Sequence, residues 1–240
     1  MYGWRARLGI LVPSGIIAIE PEFKLMTPEG VSCHYHRFTF RGGKNNEEVV
    51  TGLRRAEELI AEASEIITHV RPAVVAMAGT GVSFIGGYGY DQMLIRKMKE
   101  RNGDLPTTTT STSVIEAFRK LGIKKVSMAM PYVEPVARAA AAFVQDNGVE
   151  VLNTKWLGKG GMDIAEVSDE TLYHLAREVD VPESDALFIS CVDLHTIQII
   201  EKLETDLQKP VITSNQATLW HMLRLANIND KIKGYGQLFL

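Results

Sequence analysis

Cysteine is scarce in this chain of 240 residues, which has two, Cys33 and Cys191, placed far apart. Two are too few for a disulfide framework, and their separation gives no clustered zinc spacing, so a reducing compartment, the cytoplasm, is expected. Charge of one sign is lacking as well. The 26 Lys and Arg against 29 Asp and Glu leave a formal net charge of −3, with no basic excess to attract a nucleic-acid backbone. Long apolar runs are missing too: the longest are strand-sized, and the opening Met1-Tyr-Gly-Trp-Arg-Ala-Arg7 has no apolar core of a signal peptide. Neither export nor a membrane partner is expected. The length is enough to bury a large core without covalent staples.

What is present is an alternation of strand-like and helix-like segments. Leu8–Val12, Ala73–Ala78, Val126–Met130, Val149–Leu152 and Leu187–Ser190 are short apolar runs stopped by Pro, Gly or small polar residues. Between them, apolar residues recur at helical spacing in Glu47–Val70, Asp91–Arg101, Ser113–Leu121, Glu134–Asn147, Ser168–Val179, Ile197–Leu207 and Ala217–Ala226. Asn45 with Glu48, and Ser113 with Glu116, read as helix caps. The period of two over His34, His36, Phe38 and Phe40 suggests a strand with one covered face. Ile16–Gly30, interrupted by Pro21 and Pro28, reads as irregular, and Gly79–Gly87 as a glycine-rich loop. Such alternation argues a mostly parallel sheet covered on both faces.

The chain also repeats itself. Ile10-Leu-Val-Pro13 is similar to Met128-Ala-Met-Pro131, Val75-Ala-Met-Ala-Gly79 to Phe188-Ile-Ser-Cys191, and Leu105–Ser111 to Lys209–Asn215. Two pseudo-symmetric Rossmann-like α/β halves follow, residues 1–117 with 227–240 and residues 118–226. The loops after Pro13, Ala78, Pro131 and Ser190 then converge on one cleft, where open α/β folds bind ligands.

Cys191 is the strongest candidate in that cleft. It ends an apolar strand among Ser190, Asp193 and Thr196, and a helix expected to begin soon after it favours its thiolate through exposed amides and the dipole. The alternative is a small buried hydrophobe. His195 either tunes this thiol or faces solvent. Cys33, His34 and His36 on one strand are too few for a metal without further ligands, and a solvated strand face is the better reading. His69, His174 and His221 read as surface or packing residues. The loop after Ala78 has neither the Walker lysine nor a dinucleotide fingerprint. Thr80, Ser83 and the neighbouring amides instead offer neutral donors to an oxyanion or a carboxylate. Thr109, Thr110, Ser111, Ser214 and Asn215 add donors or serve as helix caps. Tyr132 is either a site hydroxyl or an aromatic lid.

With Val12-Pro13, Gly79-Thr-Gly-Val-Ser-Phe84, Pro106-Thr-Thr-Thr-Thr-Ser-Thr112, Tyr132, Ser190-Cys191 and Gly234-Tyr-Gly-Gln-Leu-Phe239, the chain resembles the aspartate/glutamate racemase superfamily over nearly its whole length. Within it the likeness is greatest to the arylmalonate decarboxylases, with the maleate cis-trans isomerases next. The resemblance implies two α/β halves, no cofactor, no metal and a small carboxylate or dicarboxylate substrate. It also implies that racemases and isomerases carry two facing cysteines, of which the second matches Cys191 while Gly79 occupies the place of the first. A decarboxylase pattern has glycine there. On that pattern Cys191 protonates an enediolate, whose oxygens are held by Thr80, Tyr132 and loop amides, and the site includes Pro13, Ser14, Gly81, Ser83 and Val192.

Three departures stand out. Gly81 replaces a serine, with Ser83 as the substitute donor; Val192 replaces a glycine; Ile16 replaces an asparagine of the isomerases. The expected function is cofactor-independent decarboxylation of a substituted malonate. A maleate-isomerase or racemase type of enzyme is the alternative, and a non-catalytic carboxylate-binding protein a second one. A homo-oligomer is compatible with the sequence.

Overall fold

The computed structural model describes residues 2–39 and 46–240. The first sheet is built from β1 (Ala6–Pro13), β2 (Val31–Phe38), β3 (Val74–Met77) and β4 (Thr107–Thr109), in the order β2-β1-β3-β4. The second is built from β5 (Lys125–Tyr132), β6 (Glu150–Lys159), β7 (Ala186–Ile189) and β8 (Val211–Thr213), in the order β6-β5-β7-β8. Every neighbouring pair is parallel. The two orders are the same permutation, and the three internal likenesses fall on matching strands: β1 with β5, β3 with β7, β4 with β8. The chain is therefore α/β, with two pseudo-symmetric, Rossmann-like halves.

Helices cover the sheets: α1 (Ile19–Met26), α2 (Asn46–Ile67), α3 (Thr80–Phe84), α4 (Tyr90–Asn102), α5 (Thr110–Leu121), α6 (Glu134–Asp146), α7 (Asp169–Val179), α8 (Ile200–Leu207) and α9 (Ser214–Leu225). Central strands buried on both faces need no polar alternation, and β3 and β7 are wholly buried. In α2 the helical stripe Leu53, Ala56, Ile60, Ala63 and Ile67 is buried. Among the described residues no helix is long and apolar enough to cross a membrane.

Several local expectations change. Ile16–Gly30 is not irregular throughout, because Ile19–Met26 is helical. Pro21 sits in its first turn, where the missing N–H is not needed. Gly79–Gly87 is not simply a loop; it contains the single-turn α3. The cap of α5 is Thr109, whose side chain accepts from the Thr112 amide, not Ser113. Ser113 is instead inside the helix, its hydroxyl bonded back to the Thr109 carbonyl at 2.8 Å. The strand expected over Val149–Leu152 runs on to Lys159. Over β2 both faces are half-buried through His36, as in an edge strand with partial cover, and only Arg37, exposed, and Phe38, buried, differ, so the clean alternation is not found. Phe40, Gly42, Gly43 and the Asn45 cap lie outside the described residues.

The two halves meet along α5 and α9, which pack on each other. Hydroxyls line this seam. Thr218 donates to Thr110 at 3.1 Å, and His221 Nδ1 lies 3.0 Å from Thr108 Oγ1 and 3.2 Å from Ser113 Oγ. His221 is thus a packing residue, whereas His69 and His174 are exposed.

Candidate active site

The carboxyl ends of β1, β3, β5 and β7 open on one cleft of about 950 Å³. Pro13 and Ile16 come from the first of these ends, Gly79 to Val82 from the second, Tyr132 and Val133 from the third, Cys191 to Asp193 from the fourth. All four expected loops converge there. Pro131 falls where the β5–β6 register shifts between Met130 and Tyr132. A proline cannot donate to the ladder, and a bulge at that point re-aims the next side chain. Tyr132 follows, packed edge-on against Phe84 at 5.8 Å between ring centroids.

Cys191 is 6 % exposed and has φ of 154°, a sparsely populated backbone for a residue with a Cβ, costing on the order of 1–3 kcal/mol. Its surroundings hold that conformation. The Cys191 amide donates to Ser214 Oγ at 3.0 Å, and the Asp193 amide lies 3.4 Å from Sγ. The expected helix start close behind Cys191 is not found. Val192 to Ile199 run as turns, and α8 begins at Ile200. No helix dipole therefore favours the thiolate. Burial pushes the thiol up to about 12, against the Asp193 and Leu194 amides and Tyr132, which pull it down. At neutral pH the group is a protonated thiol.

Tyr132 is raised well above the ordinary phenol range, chiefly by burial and then by the neighbouring Cys191. Its hydroxyl is 3.2 Å from Ser190 Oγ and also interacts with Cys191 and Thr80. Thr80 donates to Ser214 at 3.0 Å, so Ser214 receives a bond from each half of the molecule. The first amides of α3, those of Thr80, Gly81 and Val82, have no partner inside their helix and belong to residues that line the cleft.

The cleft gathers Pro13, Thr80, Gly81, Tyr132, Cys191 and Val192 of the expected site. Ser83 and Ser14 are not among its lining residues. Ser83 is fully buried and points back into its own turn, 2.9 Å from the Gly79 carbonyl, and meets Ser111 at 2.6 Å. It therefore does not stand in for the serine absent at Gly81. Ser14 is exposed and its carbonyl accepts from Arg37. His195 is exposed and off the cleft. A Cβ on Gly81 would meet the Leu53 side chain at 3.2 Å, so the space a serine would use is already filled from α2. A Cβ on Gly79 would meet Met77 Sδ at 3.2 Å and Pro13 Cγ at 3.4 Å.

Sequence reasoning missed two parts of the site. One is the wall from Leu157 to Ile164 after β6, which bends through Gly158 and Gly161 at φ of 70° and 58°. The glycines at a strand end were its signal. The other lies behind Cys191. Asp193 accepts from the amides of Ile17 at 2.7 Å and Ala18 at 3.2 Å, pinning the segment that leads into α1 from the opposite half. In return Glu22 of α1, 5 % exposed, accepts from the Thr196 and Ile197 amides and from Asn215 Nδ2 at 2.7 Å. Burial raises both carboxyls above their usual range while these donors lower them. Nothing local in the sequence announces either contact.

The arrangement is a protonated thiol in a cleft of mixed apolar and polar lining, beside neutral hydroxyl and amide donors. Comparison with known proteins bears on the family. The family model described as arylmalonate decarboxylase matches residues 8–239. An arylmalonate decarboxylase of Bordetella bronchiseptica is 34% identical over 189 residues, covering 75% of this chain and 78% of that protein. A maleate isomerase of Geobacillus stearothermophilus is 23% identical, covering 97% of this chain and 96% of the relative. A solved, doubly substituted arylmalonate decarboxylase in liganded form superposes with a TM-score of 0.88 at 27% identity, covering 97% of this chain and 98% of that one. A maleate isomerase of Pseudomonas putida S16, solved with maleate, gives 0.88 at 23%, covering 97% and 96%. This chain belongs to the arylmalonate decarboxylase family.

Proposed function

We propose that the chain decarboxylates a substituted malonate without a cofactor, and that Cys191 supplies the proton. One observation carries the reading: at the strand end matching Cys191, the other half presents Gly79, so the cleft holds a single thiol. A single acid suits a reaction that delivers a proton to one face of an intermediate. Two-base racemisation needs an acceptor and a donor on opposite faces.

In this mechanism the substrate places its departing carboxylate against apolar side chains such as Val82, Val133 and Ile164, where a charge is poorly solvated. The C–C bond breaks, carbon dioxide leaves, and the electron pair passes into the retained carboxylate to give an enediolate. Tyr132, the first amides of α3 and Thr80 hold its oxygens, with Thr80 turning its proton from Ser214 to the substrate. The Cys191 S–H then protonates the carbon, and the resulting thiolate, held by the Asp193 and Leu194 amides, regains a proton from water. A thiol pushed up to about 12 rests in the form this step consumes. The halves taken as residues 1–117 with 227–240 and residues 118–226 each supply one side.

A second reading, cis-trans isomerisation of an unsaturated diacid, draws on the maleate isomerases' match over 97% of the chain. It needs a thiolate adding to the double bond, and burial of Cys191 opposes that. Purified protein incubated with disubstituted malonates should release carbon dioxide, and Cys191→Ala should lower the rate by about 10²–10⁴-fold. Unchanged turnover in that variant removes Cys191 from the mechanism. Deuterium exchange at an α-carbon without carbon dioxide release selects the isomerase or racemase reading.

A further inference from the structure

Lys159 is the single basic side chain among the described residues that line the cleft. It is half-buried, and among the described residues its ammonium has no ion pair or hydrogen-bond partner. In the β5–β6 pairing Lys159 stands opposite Tyr132. Residues in register on parallel strands share a face, so Lys159 leaves the sheet on the side from which Tyr132 enters the cleft. Gly158, Gly160 and Gly161 surround it and offer no side chain to neutralise it. The other charged lining residues are Asp163, which is exposed, and Asp193, whose carboxylate is engaged by the Ile17 and Ala18 amides.

Resting on the decarboxylase reading, we infer that Lys159 is a specificity-determining residue that pairs with an anionic group on the substituent of the malonate. A cation on the departing carboxylate would stabilise the ground state and oppose its loss. The enediolate oxygens already have Tyr132, Thr80 and backbone amides. The partner left for Lys159 is an anion retained in the product, which makes the preferred substrate a malonate with an acidic substituent.

The test compares phenylmalonate with the same compound carrying a para-carboxylate, in the wild type, Lys159→Met and Lys159→Arg. Expected is a preference in kcat/KM for the carboxylated compound that falls roughly ten- to hundredfold in Lys159→Met, with phenylmalonate unaffected and Lys159→Arg keeping most of the preference. Equal loss on both compounds, or no loss, overturns the assignment. Calorimetric binding of para-carboxyphenylacetate against phenylacetate separates this from the reaction itself. If neither malonate turns over but the wild type binds the diacid more tightly, and salt erases the difference, the reaction reading fails and Lys159 stands. If the wild type shows no preference at low salt, Lys159 falls whatever the reaction proves to be.

Discussion

The acidity of the Cys191 thiol is set by burial, not by a helix dipole. Because the folded protein pushes it up to about 12, an alkylating agent that attacks thiolate meets little of it near neutrality. The rate with iodoacetamide should climb with pH beyond 9 without levelling, whereas a free thiol levels off above about 8.5. Rapid alkylation at pH 7, followed by mass spectrometry at Cys191, contradicts this. Gly79, at the matching strand end of the other half, is the second residue on which the proposed reaction turns. Its φ of −165° is extended backbone that any residue adopts, and the nearest obstacle to a Cβ is the flexible Met77 thioether. Gly79→Cys should therefore fold with a stability change within about 1 kcal/mol. With thiols on both sides of the cleft it should gain exchange of an α-proton for solvent deuterium in arylacetates. A variant that folds and shows no exchange counts against the two halves acting on one carbon.

At the scale of elements, α1 and the turns after β7 hold each other. Removing the Glu22 carboxylate in Glu22→Ala leaves the Thr196 and Ile197 amides without an acceptor, at a cost of about 2–4 kcal/mol in chemical denaturation. Glu22→Gln should cost less. Its carbonyl still serves the amides, and Asn215 Oδ1, buried without a donor, can turn to accept from the new amide. The same contacts explain what the sequence could reveal. Sheet strands and the stripe of α2 were legible, because burial on two faces or on one leaves a run or a period. The convergence of Pro13, Thr80, Tyr132 and Cys191 was legible from repeated strand ends. Helix α1 was not, since the segment leading into it is held by Asp193 from 176 positions away, and Pro21 within it and Pro28 just beyond it read locally as breakers. Ser83 misled for a related reason: a hydroxyl in a turn serves its own backbone as readily as a ligand. Leu53 over Gly81 depends on where α2 docks, which no local pattern states.

For the whole molecule, the seam of α5 with α9 and the crossing of Glu22 and Asp193 tie the halves together. Thermal unfolding should accordingly be a single transition, with fluorescence and circular dichroism tracing coincident curves. Two resolved transitions show that the halves melt independently. The interlock also sets an order of events. Contacts so far apart in sequence form late, after the closure entropy of long loops has been overcome. In the unfolded chain that thiol stands in water with an ordinary acidity. An unfolded molecule thus exposes a nucleophile that the folded one withholds, and the decline of its reactivity during refolding should report the closing of the cleft.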